Sequence, residues 1–299
     1  MNKRKDNQRY WVGIDGGGTK SHAVLFDVHC QPLGQGLSGP ANIARHGEQA
    51  LTEILCAVEQ AVVNSGLSFD IVKGQLSVSA GLAGAYLGSS VALLKRWQHP
   101  FADFTFTSDL HTALLGAHGG NNGAVLITGT GSCAASLVNG QVSQFGGFGF
   151  QLGDQASGAW LGQQAARLAL LHADGLGSGE GLWRAVKDFY GCSTSAQLVD
   201  MLNGAAPGEF ARFAPQVFHL ASQADDGAQQ LIQQGADYLN ALVKRALADT
   251  AMPLVFNGGL AALWQPYLDP EIKARIRPAQ YSPEWGAVYF SRQSQPCLV

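Results

Sequence analysis

The stretch that decides the fold is VGIDGGGTKSHAVLFD, residues 12–27. It sets Asp15, three consecutive glycines, Thr19 and Lys20 between two apolar runs. Glycines that let a backbone come close, beside a hydroxyl and a cation, are the ingredients of a phosphate site. Asp15 has the wrong sign for such a site unless a metal ion stands between carboxylate and phosphate. In a P-loop or a dinucleotide-binding fold, the glycine turn opens a helix whose N-terminus holds the phosphate. Here the glycines run into SHAVLFDV, where small or polar residues alternate with apolar ones in the manner of a strand. The order Gly-Thr-Lys-Ser also lacks the ending of a P-loop. The stretch is therefore a β-hairpin with a glycine tip, either an ordinary turn or a grip for a polyphosphate.

Outward from the hairpin, QPLGQGLSG supplies turn residues and a third short strand. EQALTEILCAVEQAVVNSG has apolar positions three and four apart and stops at Gly66, which predicts an amphipathic helix. The strand GQLSVSAGLAG, the helix SSVALLKRWQ, the strand FTFTSD and the helix LHTALLGAHGG follow, completing a β-β-β-α-β-α-β-α order. GAVLITGTGSCAASLVNGQVSQFGG then repeats the opening order of strand, glycine turn, strand, turn and strand. The two strand-to-turn junctions fall at Asp15 and Thr128, 113 positions apart (128 minus 15). Helical segments, a strand PLVFNGGLA and a last helix PEWGAVYFSRQ complete the chain. Two hairpin-led halves predict a duplicated α/β fold with a cleft between them. The expected domains are residues 10–118 and residues 119–299, the second with a helical insertion, and the last helix (about 283–293) packs back on the first. A second glycine hairpin, ITGTGS, weakens the ordinary-turn reading, because two such hairpins can grip a polyphosphate from both sides.

Bulk properties narrow the function. A chain of 299 residues with 46% hydrophobic and 14% charged residues has the make-up of a globular protein with a large core. A net charge of -3 and a pI near 6.2 argue against nucleic acid as a partner, which calls for a basic face. No segment reaches 18 uninterrupted apolar residues, so no membrane span is expected. The first ten residues, MNKRKDNQRY, read as a frayed polar tail. Cys30, Cys56, Cys133, Cys192 and Cys297 show neither a C-x-x-C pair nor zinc-finger spacing, which suits reduced thiols in the cytoplasm. The eight histidines show no metal-ligand spacing.

GIDGGGTKSHAVLFD, LITGTGS and VFNGGLA together resemble the sugar kinase, Hsp70 and actin superfamily. GGFGFQLGDQASGAWLG, with GPANI and FTSDLHTAL, resembles the N-acetylglucosamine kinase and BadF/BadG-type ATPase family, and within it the bacterial glucosamine kinases. The resemblance runs over nearly the whole chain after residue 10. It implies a duplicated ribonuclease-H-like fold, ATP with Mg2+, and a small amino sugar as the partner; a homodimer is left open. Asp15 would face the magnesium through a water, since that ion keeps several waters and takes few protein carboxylates. Gly16, Gly17, Gly18 and Thr19 would bind the phosphates, and Gly129, Thr130 and Gly131 would close on them from the second domain. Lys20 either adds charge there or is a solvated hairpin lysine. Gly258 and Gly259 would form the turn against adenosine, with Ala214 as a backbone neighbour of the adenine. Phe210, Phe213 and Phe218 read by helical period as core residues.

The sugar side follows from the same resemblance. Phosphoryl transfer to an alcohol needs the hydroxyl in line with the γ-phosphate and an acceptor for its proton. Asp109, at a strand end opening a helix, is by local sequence a helix N-cap and by resemblance the general base. Asn42 and the turn Gly147, Phe148 and Gly149 would position sugar hydroxyls. Asp154 would bind further hydroxyls or an ammonium group. Gln155 stands where many family members have glutamate. Three classes compete: a kinase making glucosamine 6-phosphate or its N-acetyl counterpart, an ATP-dependent activator of a radical dehydratase or reductase, and a non-catalytic sugar sensor. The activator needs an iron–sulfur cluster held by paired thiolates, for which the cysteine spacing is wrong. The sensor calls for an added DNA-binding segment or the loss of Asp109. The kinase is favoured.

Overall fold

The computed structural model describes residues 10–177, 179–248 and 250–294. Residues 1–9 of the polar tail and Cys297 lie outside them, and Tyr10, read from sequence as the end of that tail, instead opens the first strand, where it is buried. Three strands, β1 (Tyr10–Gly16), β2 (Ser21–Phe26) and β3 (Pro32–Ser38), lead to helix α1 (Glu48–Asn64). Then β4 (Leu76–Leu82), α2 (Gly88–Arg96), β5 (Asp103–Ser108) and α3 (Asp109–His118) alternate. The order restarts with β6 (Gly123–Thr128), β7 (Ser132–Val138) and β8 (Gln141–Gly146). Helices α4 (Gly158–Ala173), α5 (Glu180–Tyr190), α6 (Ser195–Leu202), α7 (Ala214–Ser222) and α8 (Asp226–Leu247) come next. Strand β9 (Leu254–Asn257) and helix α9 (Pro283–Ser294) follow. Short helical turns at Ile43–His46, Phe69–Val72, Pro207–Ala211, Ala261–Trp264 and Pro270–Lys273 span too few residues to show a period in the sequence.

The chain forms two units: Met1–Asn122, Leu137–Gly140 and Pro278–Val299 in the first, Gly123–Ser136 and Gln141–Arg277 in the second. In the first, the sheet order is β3-β2-β1-β4-β5. β1, β2 and β3 pair antiparallel, while β4 and β5 run parallel to β1. Helix α1 covers one face through Ala50, Leu51, Ile54, Ala57, Val58, Ala61 and Val62, recurring three and four apart, against Ile14, Leu25, Leu76 and Val78. The other face carries α9, whose Val288 packs with Trp11, Val24 and Phe26. That seating depends on Gly13, because a Cβ there would lie 1.8 Å from the carbonyl oxygen of Glu284.

In the second unit the order is β8-β7-β6-β9, with β6 and β9 parallel from Ala124↔Leu254 to Ile127↔Asn257. This repeats the β3-β2-β1-β4 order of the first unit, as expected of a duplicated α/β fold. Its core gathers Leu126, Leu161, Phe213, Leu239, Val243 and Trp264. The indole N–H of Trp264 donates to the Ala156 carbonyl at 2.9 Å, so the largest buried side chain also satisfies its polar atom. Phe210, Phe213 and Phe218 are all buried, as expected of core residues. Among the described residues no single helix is long and apolar enough to cross a membrane.

Candidate active site

In the first unit β1 turns into β2 where Gly16 pairs with Ser21 and the Gly17 N–H donates to the Lys20 carbonyl at 3.0 Å. The N–H groups of Ala83 and Ala41 donate to the carbonyls of Gly16 and Gly17 at 2.9 and 3.0 Å. Two neighbouring loops thus pin the hairpin, and Gly18, Thr19 and Lys20 stand exposed at its tip. Asp15 is the one position of β1 that is not fully buried. Burial, and after it the charges of Glu284 and Asp109, push its pKa up to about 7 against the opposing influence of His22 and Lys20. A carboxylate among other carboxylates with little water holds its proton to higher pH.

β5 ends at Ser108 and α3 begins at Asp109. Ser108 is the N-cap: its hydroxyl accepts the His111 N–H at 3.1 Å. Asp109 occupies the first helical position and accepts the Leu110 N–H through Oδ1 at 2.9 Å. Burial raises its carboxyl above the ordinary range, with backbone N–H groups pulling the other way. His111 Nδ1 lies 3.0 Å from the Thr107 hydroxyl, and burial lowers the imidazole pKa. Asn42 caps the turn Ile43–His46, its Oδ1 accepting the Arg45 N–H at 3.1 Å, which uses only the oxygen of the amide.

The second unit carries a matching hairpin between β6 and β7. The Gly129 N–H donates to the Gly131 carbonyl at 2.9 Å. The first N–H groups of α4, from Gly158 and Ala159, donate to the carbonyls of Gly129 and Thr130 at 2.7 and 3.3 Å. The Ser132 hydroxyl donates to the Gln155 carbonyl at 2.6 Å, so Gln155 is tied to the hairpin through its backbone while its side chain is exposed. Asp154 has a left-handed backbone, φ 54°, and its Oδ1 accepts the Gly149 N–H at 3.2 Å. Its Oδ2 lies 2.9 Å from where a Gly131 Cβ would stand. Asp154 therefore joins the turn Gly147–Gly149 to the glycine hairpin, a link its sequence position does not reveal. Phe148 is exposed at the tip of that turn. After β9, Gly258 has φ 106°, and a Cβ on it would lie 2.1 Å from the Thr128 carbonyl oxygen; next to it Gly259 is exposed with open space around it.

Ala214, expected as a backbone neighbour of the adenine, is wholly buried in the core of the second unit. The reason is periodic: Ala214, Val217, Phe218 and Ala221 form the inward stripe of α7. Ser108, His22 and Glu284 are site neighbours that sequence reasoning did not single out. Among the described residues no three of His, Cys, Asp and Glu come together as a metal-binding group. Cys30, Cys56 and Cys192 are free thiols.

Comparison with known proteins agrees with this architecture. The model of the BadF/BadG/BcrA/BcrD ATPase family matches residues 12–291. The chain is 33% identical to the glucosamine kinase GspK of Vibrio cholerae over 94% of its own length and 95% of that protein. It is 25% identical to the N-acetyl-D-glucosamine kinase of Dictyostelium discoideum, covering 85% and 86%. The solved structure of a proposed N-acetylglucosamine kinase from Chromobacterium violaceum superposes with a TM-score of 0.87 at 32% identity, over 95% and 99% of the two chains. The fold is the duplicated ribonuclease-H-like fold of sugar kinases and actin-like ATPases, and the chain belongs to the BadF/BadG/BcrA/BcrD ATPase family.

Proposed function

We propose that this chain is an ATP-dependent hexosamine kinase that phosphorylates glucosamine on its 6-hydroxyl. The observation that carries the reading is the state of Asp109: a partly buried carboxylate at the end of β5, released from capping by Ser108, in the same unit as the Asp15 hairpin. In this reading Asp109 takes the proton of the sugar hydroxyl as the new O–P bond forms and the bond to the departing ADP breaks. The glycine hairpin beside Asp15 binds phosphate oxygens, and Lys20 adds charge there. A magnesium ion, when bound with the nucleotide, supplies charge neutralisation on its phosphates. Asp15 fits such an ion: its carboxylate stands within reach of the negative charges of Glu284 and Asp109, and among the described residues no three ligand groups gather that would hold a metal without the nucleotide. Asn42 and the Gly147–Gly149 turn orient sugar hydroxyls.

Glucosamine rather than N-acetylglucosamine is favoured by the identity to the Vibrio enzyme and by the carboxylate of Asp154, which suits an ammonium group. The Dictyostelium relative favours the N-acetyl sugar instead. A coupled ADP-release assay across glucosamine, N-acetylglucosamine, glucose and mannosamine tests both. The expected result is a kcat/KM for glucosamine at least about tenfold above that for N-acetylglucosamine, a difference of about 1.4 kcal/mol. Equal or better turnover of N-acetylglucosamine assigns the chain to that substrate, and no turnover of any hexose overturns the kinase reading.

A further inference from the structure

Glu284 lies in the first turn of α9 and is only 4% exposed. An acidic residue at a helix N-terminus is ordinary at the surface, where it faces water and the helix dipole. A buried one is costly unless paired, and an apolar residue of similar size serves stability at least as well. Glu284 is paired: its Oε1 accepts from His22 Nδ1 at 2.6 Å. The other ring nitrogen of His22 lies 3.2 Å from Gln35 Oε1. The three side chains thus tie α9 to β2 and β3.

The location of this chain of contacts gives it a consequence. His22 stands opposite Asp15 in the β1–β2 register, so the two side chains share a face of the sheet. It is also the second residue after the hairpin tip, where β2 begins. Helix α9 cannot shift to accommodate a change, because it is seated by direct backbone approach on both neighbours. Besides the contact at Gly13, a Cβ on Gly286 would lie 2.1 Å from the Thr112 carbonyl oxygen, and one on Gly116 would lie 2.2 Å from that of Ser282. β1 carries Asp15 and α3 carries Asp109. Among neighbouring charges, that of Glu284 acts most strongly on Asp15.

We propose that His22 and Glu284 act as one positioning pair that fixes the Gly17–Lys20 hairpin and the Asp15 carboxylate for the nucleotide. The proposal rests on the kinase reading and concerns only its nucleotide side. Without the pair, β2 loses its anchor to α9 just beyond the tip, and the hairpin samples geometries that do not fit phosphate. Asn42 and Asp109 are held by other contacts, so sugar recognition is spared.

The test compares wild type, His22→Gln, Glu284→Gln and the double variant. ADP binding in the presence of Mg2+ is measured by calorimetry, alongside KM for ATP and for the hexosamine and the melting temperature. Each single variant is expected to weaken ADP binding about tenfold, with the double variant no weaker than the worse single, because a pair that acts as a unit is lost only once. The hexosamine KM should change less than about threefold, which a general loss of structure would not allow. Should Glu284→Gln fail to fold, His22→Gln at its half-exposed position decides alone. ADP affinity equal to wild type in His22→Gln, or losses that add in the double variant, overturns the pairing and leaves the kinase reading intact. If wild type itself binds no adenine nucleotide, the kinase reading falls, and the proposal with it.

Discussion

Ser108, and not Asp109, caps helix α3: the Ser108 hydroxyl accepts the His111 N–H at 3.1 Å, while Asp109 sits one residue inside the helix. In sequence the two roles of Asp109, cap and base, are equally at home before LHTALL. The structure separates them by filling the cap one position earlier. Asp109→Asn keeps the size of the side chain and its acceptor for Leu110, but removes the proton acceptor. Turnover is expected to fall by about 10²–10⁴-fold with ADP binding retained. Ser108→Ala should instead lower stability by about 0.5–2 kcal/mol, as loss of an N-cap does. Near-normal turnover in Asp109→Asn would show the carboxylate to be structural.

The raised pKa of Asp109 has two opposite pH signatures. As a base it works only when ionised, so kcat/KM should rise with pH through a value above the ordinary carboxylate range. Stability runs the other way. Between the unfolded and folded pKa values the native state binds the extra proton, so this contribution is complete below the unfolded value and is lost as pH rises through the folded one. The nucleotide-free protein should therefore melt lower as pH rises over that window, and Asp109→Asn should show a shallower fall. An acid limb of kcat/KM at the unperturbed value of about 4 would contradict the assignment.

The paired glycines after β9 make a sharper test, because their surroundings differ. Gly258 has φ 106° and no room for a Cβ beside the Thr128 carbonyl, whereas a Cβ on Gly259 meets nothing within 4 Å. Gly258→Ala is expected to cost about 1–3 kcal/mol in stability from backbone strain alone. Gly259→Ala should melt like wild type yet, if this turn faces adenosine as its likeness to the family implies, bind ADP more weakly. Unchanged ADP affinity in Gly259→Ala would remove this turn from the nucleotide site.

Much of this fold is legible in the chain because its strands and long helices carry a pattern. α1 buries every third or fourth residue, while β2, an apolar run, is buried at every position but His22. The Ile43–His46 turn has no room for a period, so Asn42 could be named as a ligand residue but not as a cap. The burial of Ala214 is legible too, since it stands on the inward stripe of α7 with Val217 and Phe218. His22 and Glu284 had no local signal at all: 262 positions separate them, and only the folded sheet brings them together. Asp154 stood out by its motif, yet its contact with Gly149 and its place beside Gly131 depend on a left-handed backbone that sequence does not announce.

That backbone shapes the last prediction, the preference for an amino sugar. Asp154 adopts φ 54°, a region where asparagine is tolerated better than most side chains. Asp154→Asn therefore removes the charge without adding strain, whereas alanine would do both. Its Oδ1 accepts the Gly149 N–H, an interaction shared by every substrate, so any loss through that turn should be equal for all of them. At neutral pH much of the glucosamine amine is protonated, and a charge-assisted hydrogen bond to a carboxylate contributes about 1.5–3 kcal/mol. On glucosamine, kcat/KM of Asp154→Asn should fall about tenfold to a hundredfold further than it does on glucose, which has no ammonium group to lose. The ratio of the two losses isolates the charge from the turn. Equal losses on glucosamine and glucose would leave Asp154 as a support for Gly149 and place the choice of amino sugar elsewhere.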